Sequence, residues 1–238
     1  MDQLIEQEIK EHASREYPKE ACGLIVTFKG RARYTPCRNT APNPLTDFAI
    51  SAEDYAAAED SGEISAIVHS HPDALPLPSQ QDLVACELSG LPWVIVAWPL
   101  GTIHEFSPTG YEAPLIGRKY DHGVFDCFSL VRDYYRTECG IIYPDYHRDD
   151  EWWLKGQNLY MDNLEEAGFQ IVKDGTVRVH DTFLMQVESP VVNHAAVYIG
   201  RDQIMHHCIN RLSSRDVYGG YWRKITIHTI RHRSLDHA

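Results

Sequence analysis

Basic residues are scarce in this 238-residue sequence: 22 Lys and Arg stand against 34 Asp and Glu, for a formal net charge of −12. The shortage is greatest in residues 1–110, which hold 7 basic and 16 acidic residues. Proteins that bind a nucleic-acid backbone need clustered cations to neutralise its phosphates. The charge balance therefore argues against a nucleic-acid partner.

Long apolar runs are also missing. The longest nearly apolar stretch, residues 91–101, contains two prolines and is far shorter than the roughly 20 residues of a membrane-spanning helix. The N-terminus begins Met-Asp-Gln-Leu and lacks the basic start and apolar stretch of a secretory signal. We therefore expect no membrane insertion and a soluble product of the cytosol.

Cysteines are few, and their spacing is not that of paired metal ligands. The six cysteines lie at positions 22, 37, 86, 127, 139 and 208. They are too sparse for a disulfide scaffold in a chain of this size. We predict that all six are free thiols.

The 43% apolar composition is sufficient for two modest cores. In the first half, apolar spacing predicts helices over residues 3–16, from Ser51, and from about Ser79 to Gly90. Strands are predicted over residues 22–28, 33–37, 64–68, 92–98 and 102–106. This alternation is typical of a mixed sheet with flanking helices.

The sequence Ser-Pro-Thr-Gly at residues 107–110 breaks the pattern, and we place a domain boundary there. The predicted domains are residues 1–110 and 111–238, and both are α+β. In the second domain we predict helices over 127–139 and 152–167, and strands over 177–179, 191–199, 203–208 and 224–230. Residues 231–234 are interpreted as a frayed tail.

One candidate site lies where a predicted strand runs into His69 and His71. Alternate residues of a strand face the same side, so both imidazoles can reach one ion. Asp82 follows in the first turn of a predicted helix, although Ser79 and Asp82 also fit a capping box. Two histidines and one carboxylate leave one zinc position open, as in catalytic zinc sites. Glu20 is a candidate general base.

These residues stand in a specific order: Pro-x-Glu-x-Cys-Gly, then His-x-His-Pro, then Ser after seven residues and Asp after two more. The order closely resembles the JAMM motif of MPN-type metallopeptidases, over about residues 1–107. The resemblance implies that His69, His71 and Asp82 bind one Zn²⁺, that Glu20 is the base and that Ser79 supports the oxyanion. The capping interpretation does not compete, since Ser79 can cap the helix while Asp82 binds the metal.

A second candidate site centres on Cys127, at the start of the predicted helix 127–139. The positive end of a helix dipole favours the thiolate. The helix start and His194 together predict a lowered pKa for Cys127 and the fastest alkylation among the six thiols near neutral pH. His194, at the start of a strand, is the candidate base.

His206 and His207 compete for the position that orients the base. Adjacent strand residues face opposite sides, so the turn before them decides which one faces His194. A two-residue turn at Arg201 and Asp202 would select His207. A three-residue turn over residues 200–202 would select His206.

The sequences Asp-Cys-Phe-Ser and His-x-x-x-Tyr-x-Gly, with a later histidine, resemble the NlpC-type cysteine peptidases. These are papain-like enzymes that cleave the peptide stems of bacterial cell walls. The resemblance implies that Cys127 is the nucleophile and His194 the base. Its spacing of twelve residues favours His206 over His207 as the orienting group. Tyr120 looks like the aromatic residue that this family places near the substrate.

The order of the two motifs resembles the tail assembly protein K family of lambda-like long-tailed phages. The resemblance implies assembly in the host cytoplasm and work at the tail tip, with other tail tip proteins and peptidoglycan peptides as partners. Two alternatives stay open. One is a tail assembly factor with vestigial catalytic sites. The other, suggested by the first motif alone, is a cellular isopeptidase acting on ubiquitin-like modifiers.

Overall fold

The chain divides between Glu112 and Ala113 into two units in the computed structural model, which describes residues 1–236. Each unit has its own sheet and its own helices, so the protein is α+β with two domains. Among the described residues, no helix combines the length and the apolar composition that crossing a bilayer requires.

The first unit contains a five-stranded sheet in the order β2-β1-β3-β4-β5. Only β3 and β4 pair in parallel, so the sheet is mixed, as predicted. Its strands are β1 (Cys22–Phe28), β2 (Arg31–Cys37), β3 (Glu63–Pro72), β4 (Trp93–Trp98) and β5 (Ile103–Phe106). Its helices are α1 (Gln3–Glu16), α2 (Ala52–Ser61) and α3 (Gln80–Ser89).

Helix α1 illustrates why the predicted segments form. The side chain of Asp2 accepts the N–H of Leu4 at 2.8 Å and so caps the helix start. Ile5, Ile9 and Ala13 are buried on one face and pack in a single cluster with apolar side chains of the sheet. The charged face points away from this cluster, as the spacing predicts.

Strand β3 is longer than the strand predicted over residues 64–68. It runs on to Pro72 because β4 lies beside it in parallel and pairs with His69 and His71 through Ile95 and Ala97. Both histidines therefore lie in extended, paired backbone at the carboxyl end of a central strand. Polar side chains at this end of a parallel pair are well placed to form a site.

The second unit contains a six-stranded sheet in the order β10-β9-β8-β7-β11-β6, with every neighbouring pair antiparallel. Its strands are β6 (Phe169–Ile171), β7 (Thr182–Met185), β8 (His194–Gly200), β9 (Gln203–His206), β10 (Ser214–Val217) and β11 (Thr226–His232). Its helices are α4 (Cys127–Cys139), α5 (Leu159–Asp162) and α6 (Gly220–Ile225). The apolar face of α4 packs on the sheet through Leu130, Val131, Tyr134 and Tyr135.

Several predicted elements of the second unit are wrong. Residues 152–167 hold a short 3₁₀ turn, Trp152–Leu154, and the single-turn helix α5 rather than one long helix. Gly156 lies between them with φ of +80°, a left-handed conformation that ends helical structure. No strand forms over residues 177–179, and residues 224 and 225 belong to α6 instead of a strand.

The interpretation of residues 231–234 as a frayed tail is also wrong. Arg231 lies in β11 with its side chain 5% exposed, against a side chain of Asp181 that is 1% exposed. Arg231 donates two hydrogen bonds to this carboxylate, from Nε to Asp181 Oδ1 at 2.7 Å and from Nη2 to Asp181 Oδ2 at 2.8 Å. The partner lies 50 residues earlier in the chain, so no local pattern could reveal it.

Candidate active sites

Strand β3 brings His69 and His71 to one face, as their spacing predicts. Their Nε2 atoms lie 3.0 Å apart. Helix α3 then places Asp82 against both rings, with Oδ1 3.3 Å from His69 Nε2 and Oδ2 3.5 Å from His71 Nε2. Three metal-ligating side chains thus converge on one point, with His69 and Asp82 buried and His71 half-buried.

The capping box predicted for Ser79 and Asp82 is formed. Asp82 N–H donates to Ser79 Oγ at 3.1 Å, and Ser79 N–H donates to Asp82 Oδ2 at 2.7 Å. The carboxylate of Asp82 therefore holds the helix start and contacts the histidines at the same time. Ser79 is exposed and lies at the rim of this site.

Glu20 reaches the first site through the pairing of β1 with β3. Cys22 pairs with His69, and Ser70 N–H donates to the Ala21 carbonyl at 2.9 Å. Continuing the register by one residue beyond Ala21 and Ser70 places Glu20 opposite His71. Residues directly opposite on paired strands lie on the same face of the sheet. Glu20 is buried, and its charge acts on His71. The base candidate and the ligand candidates therefore share one face.

The electrostatics of the first site favour neutral His69 and ionised Asp82. Burial lowers the pKa of His69. Burial works against ionisation of Asp82, but hydrogen bonds with His69 and His71 outweigh it and hold the carboxyl pKa well below its usual range. Burial also lowers the pKa of His71, yet the hydrogen bonds to Asp82 and to the Leu75 carbonyl outweigh it and raise the pKa overall.

The donor set fits a zinc ion. His71 Nδ1 lies 3.1 Å from the Leu75 carbonyl, which can only accept, so this nitrogen keeps a proton, and Nε2 presents a lone pair once a cation replaces the proton it shares with Asp82. That lone pair faces His69 Nε2 and an ionised carboxylate. A cation between them would satisfy all three groups. Two nitrogens and one carboxylate oxygen are ligands that zinc prefers.

Aromatic packing that sequence reasoning missed holds the ring of His69. Phe48 stacks on it with ring centroids 4.5 Å apart, and Trp93 meets it edge-on at 5.5 Å. Both side chains come from segments remote from the motif. The ring is thereby fixed in orientation and shielded from water.

The second site begins at the start of α4, where Cys127 is the first helical residue. Asp126 caps the helix: its Oδ1 accepts Ser129 N–H at 2.8 Å, and Ser129 Oγ accepts Asp126 N–H at 2.8 Å. Asp126 is buried and is paired with Arg148 Nε at 2.8 Å. This buried pair beside Cys127 was missed because Arg148 lies in irregular backbone, 22 residues along the chain.

The Cys127 thiol lies against the Tyr160 hydroxyl and backbone groups of residues 193 and 195. Its Sγ is 3.2 Å from the hydroxyl of Tyr160 and 4.0 Å from the carbonyl of Asn193. Asn193 immediately precedes His194, so the nucleophile candidate and the base candidate are neighbours in space. Among the described residues, no direct hydrogen bond joins Cys127 to His194, and Tyr160 is a contact that the sequence analysis missed.

The expected lowering of the Cys127 pKa is wrong for this arrangement. Burial, followed by the charge of Asp126, raises the pKa of Cys127 to about 11. The hydroxyl of Tyr160 and the charge of Arg148 act in the opposite direction and are outweighed. The side chain is therefore a neutral thiol at neutral pH.

The raised pKa changes the prediction for alkylation. A thiol with a pKa of about 11 is protonated at pH 7, and its thiolate fraction rises about tenfold per pH unit towards that pKa. Iodoacetamide should therefore modify Cys127 more slowly at pH 7 than the half-buried Cys139, with a steep rise in rate up to about pH 11. Labelling rates read by mass spectrometry test this. Faster labelling of Cys127 than of Cys139 at pH 7 would mean that His194 already takes its proton in the free protein.

His194 belongs to a continuous series of hydrogen bonds. His194 Nε2 lies 3.1 Å from His206 Nδ1, and His206 Nε2 lies 3.1 Å from Asp216 Oδ2. Burial lowers the pKa of His206. Burial opposes ionisation of Asp216, but His206 and Arg211 outweigh it and lower the carboxyl pKa. His206 is thus a neutral imidazole beside the ionised carboxylate of Asp216, and Asp216 is a member of the series that sequence reasoning missed.

The turn before His206 has two residues, yet His206 rather than His207 faces His194. Gly200 pairs with Gln203, and Arg201 and Asp202 both adopt positive φ. A bulge between Tyr198 and Gly200 then shifts the register by one, so that Ala196 pairs with His206. The two-residue turn alone predicted the wrong histidine because it assumed a regular ladder.

His207 points to the other side, where the ring of Tyr120 meets it edge-on with centroids 5.3 Å apart. Burial lowers the pKa of His207 to about 4. Tyr120 is partly buried, and burial raises its pKa. Tyr120 therefore contacts His207 on the side away from His194.

Comparison with known proteins gives two matches to protein families. The family Prok-JAB, described as prokaryotic homologs of the JAB domain, matches residues 3–109. The NlpC/P60 family matches residues 117–231. Each match contains one of the two sites.

Three curated relatives are similar to this chain. "Tail tip assembly protein K" of Escherichia phage N15 is 42% identical over 229 residues, which are 95% of this chain and 93% of the relative. The protein of the same name from Escherichia phage lambda is 44% identical over 78% of this chain and 90% of its own length. A "Probable TtuB-protein conjugate cleaving protease" of Thermus thermophilus is 31% identical over 46% of this chain and 76% of its own length.

Proposed function

The chain belongs to the tail tip assembly protein K family, and on that premise we propose that it is a phage tail tip assembly protein with two peptidase activities. Its second unit is a cysteine endopeptidase that cleaves the peptide stems of bacterial peptidoglycan. Its first unit is a zinc-dependent peptidase or isopeptidase. It is assembled with other tail tip proteins in the host cytoplasm and acts at the host cell wall. We place the boundary of the two catalytic domains near residue 110.

One observation carries the proposal for the second unit: a buried cysteine at a helix start lies beside the series His194, His206 and Asp216. An ionised carboxylate only accepts hydrogen bonds. The neutral ring of His206 must therefore carry its proton on Nε2, which donates to Asp216. His206 Nδ1 then accepts a hydrogen bond from the N–H at His194 Nε2. His194 is left with its lone pair on Nδ1, which is the form that a general base needs.

In the proposed reaction, Cys127 enters as a neutral thiol and His194 takes its proton as Sγ attacks the scissile carbonyl carbon. The positive end of the α4 dipole lies at the attacking atom and stabilises the negative charge that develops there. The C–N bond breaks, and His194 returns the proton to the leaving amine. Water then hydrolyses the thioester by the same proton route.

In the first unit, His69, His71 and Asp82 would hold the metal. Zinc supplies Lewis acidity when bound at such a site. Glu20, buried on the same face, takes the proton of the attacking water, and Ser79 donates a hydrogen bond to the oxyanion. The Thermus relative is named for cleaving a protein conjugate, which favours a bond in such a conjugate as the substrate class of this unit.

Digestion of isolated bacterial peptidoglycan tests the proposal. The purified full chain should release soluble stem-peptide fragments, with new termini that mass spectrometry identifies. A chelator should not reduce this release, because the proposed cysteine mechanism uses no metal. If the full chain releases no more than buffer does, the alternative of an assembly factor with vestigial sites is favoured.

The assignment of His206 as the group that orients the base can be tested by comparing it with its neighbour His207. His206→Ala should lower kcat/KM for stem-peptide cleavage at least about 100-fold, since loss of the orienting group of a triad can cost about 10⁴-fold. His207→Ala should change it less than about 10-fold, because that ring faces away from His194. Steady-state kinetics of the two variants, with circular dichroism as a folding control, decides the assignment. A greater loss for His207→Ala would contradict it.

A further inference from the structure

The base of the second site lies in a cluster of three metal-ligating side chains, His194, His206 and Cys208. The sulfur of Cys208 is 3.5 Å from His206 Nδ1 and 3.9 Å from His194 Nε2, and the two nitrogens are 3.1 Å apart. His194 and His206 are buried, whereas Cys208 is half-buried and gives access from solvent. The proposed peptidase mechanism does not use Cys208.

The bulged register that selects His206 also brings Cys208 within reach. Ala196 pairs with His206 at the end of β9, and Cys208 follows two residues later, beyond the strand. His194 and His206 lie on one face of the sheet, because residues directly opposite on antiparallel strands, and residues two apart on one strand, face the same side. The sulfur of Cys208 lies beside both rings.

The three atoms have nearly the spacing that a tetrahedral zinc ion requires. Zinc binds imidazole nitrogen at about 2.0–2.1 Å and thiolate sulfur at about 2.3 Å, which places tetrahedral ligands about 3.3–3.6 Å apart. The observed separations of 3.1, 3.5 and 3.9 Å bracket these values. Small side-chain movements would bring all three ligands onto one ion.

The surroundings support metal binding as well. Metal-bound histidines commonly donate their other N–H to a carboxylate, and His206 Nε2 meets Asp216 in that way. Arg211 holds the same carboxylate at 3.3 Å. Trp222 packs on both rings, with centroids 5.9 Å from His194 and 4.5 Å from His206. The ligands are thus oriented before any ion arrives.

We propose that His194, His206 and Cys208 form a second metal site, for zinc or another thiophilic divalent cation, and that the bound ion switches off the cysteine peptidase. The ion occupies His194 Nε2, so the proton of this imidazole moves to Nδ1, where it blocks acceptance of the Cys127 proton. Cys208 releases its own proton to solvent and binds as thiolate. The metal site stands on geometry alone, whereas its inhibitory effect rests on the proposed peptidase function.

Cobalt spectroscopy tests the site without any activity measurement. In the full chain with His69→Ala and His71→Ala, which disables the first site, Co²⁺ should produce a thiolate-to-cobalt charge-transfer band in the near ultraviolet. Cys208→Ser should abolish the band. Cys139→Ser and Cys127→Ser, the matched controls for a half-buried and a nearby thiol, should keep it. Persistence of the band in Cys208→Ser, or its absence before that substitution, overturns the proposal.

The affinity for zinc gives a second readout. It is measured from the zinc concentration that displaces bound Co²⁺ and removes the charge-transfer band. Asp216→Asn should weaken zinc binding about 10- to 100-fold, as loss of a carboxylate behind a ligating histidine does. Asp202→Asn, in the turn before β9, is the matched control and should leave the affinity unchanged. Equal affinities in the two variants contradict the role of Asp216.

Inhibition is tested on stem-peptide cleavage by the same His69→Ala, His71→Ala protein. Zinc should inhibit cleavage by this protein. Adding Cys208→Ser should raise the zinc concentration that halves the cleavage rate at least about 10-fold. The rate of each protein is expressed relative to its rate without metal. Equal zinc sensitivity with and without Cys208 overturns the switch and leaves the peptidase proposal intact. A protein that shows the cobalt band but never cleaves stem peptides supports the metal site and contradicts the peptidase function.

Discussion

Cys127→Ala should abolish stem-peptide cleavage, with kcat/KM lowered by at least about 10⁴-fold. The proposed reaction forms a covalent bond to Sγ, and none of the groups described around it can replace this atom, because they are a tyrosine hydroxyl and backbone groups. His194→Ala should be nearly as damaging, because burial raises the pKa of Cys127 to about 11 and a neutral thiol attacks poorly without a base.

The control for this loss is Cys139→Ala, at the opposite end of the same helix α4. It removes a thiol from the same element without touching the candidate site, and it should retain cleavage. Release of stem peptides, quantified by mass spectrometry, measures all three variants, and circular dichroism verifies that each is folded. Cleavage by Cys127→Ala within about 10-fold of the unsubstituted chain would falsify the assignment of the nucleophile.

Removal of the first-site histidines is the second large effect that we expect. His69→Ala with His71→Ala should lower the bound zinc by one equivalent per chain, because two of three protein ligands are lost and Asp82 alone cannot hold the ion. His104→Ala, on strand β5 of the same unit, is the matched control and should keep the full zinc content. Metal analysis of the dialysed proteins gives the answer, and retention of all zinc in the double variant would refute the ligand assignment.

Glu20→Gln separates the base from the ligands. The amide keeps the size of the side chain but cannot take a proton, so zinc content should stay unchanged while hydrolysis by the first unit falls about 10²- to 10⁴-fold. The substrate for this measurement is a protein conjugate, as the Thermus relative suggests. Loss of zinc in Glu20→Gln would instead make Glu20 a ligand.

The first site was almost completely predictable because its elements are local in sequence. His69 and His71 are two residues apart in one strand, and Asp82 lies in the first turn of the next helix, so strand periodicity and a capping box suffice to bring them together. Glu20 needed the pairing of β1 with β3, and only the motif suggested it. The aromatic support of His69 by Phe48 and Trp93 left no signal in local sequence.

The second site shows where local reasoning ends. Helix α4 was predicted correctly, since its apolar spacing is a local feature. The lowered pKa of Cys127 was predicted from the helix start and His194 together and is wrong. Burial and the charge of Asp126 dominate, and burial depends on Tyr160 and on strand β8, which lie 33 or more residues away.

By itself the sequence determined the two α+β units, the residues of both motifs and the family to which the chain belongs, because strand and helix periodicity act over a few residues. Only the tertiary structure decided that His206 faces His194, that Asp216 completes the series and that Cys208 joins the cluster. The first follows from the bulge between Tyr198 and Gly200, and the second from the pairing of β9 with β10. A shift of one residue in a ladder exchanges the two faces of a strand, and pairing between strands, which sets that shift, is a property of the folded sheet.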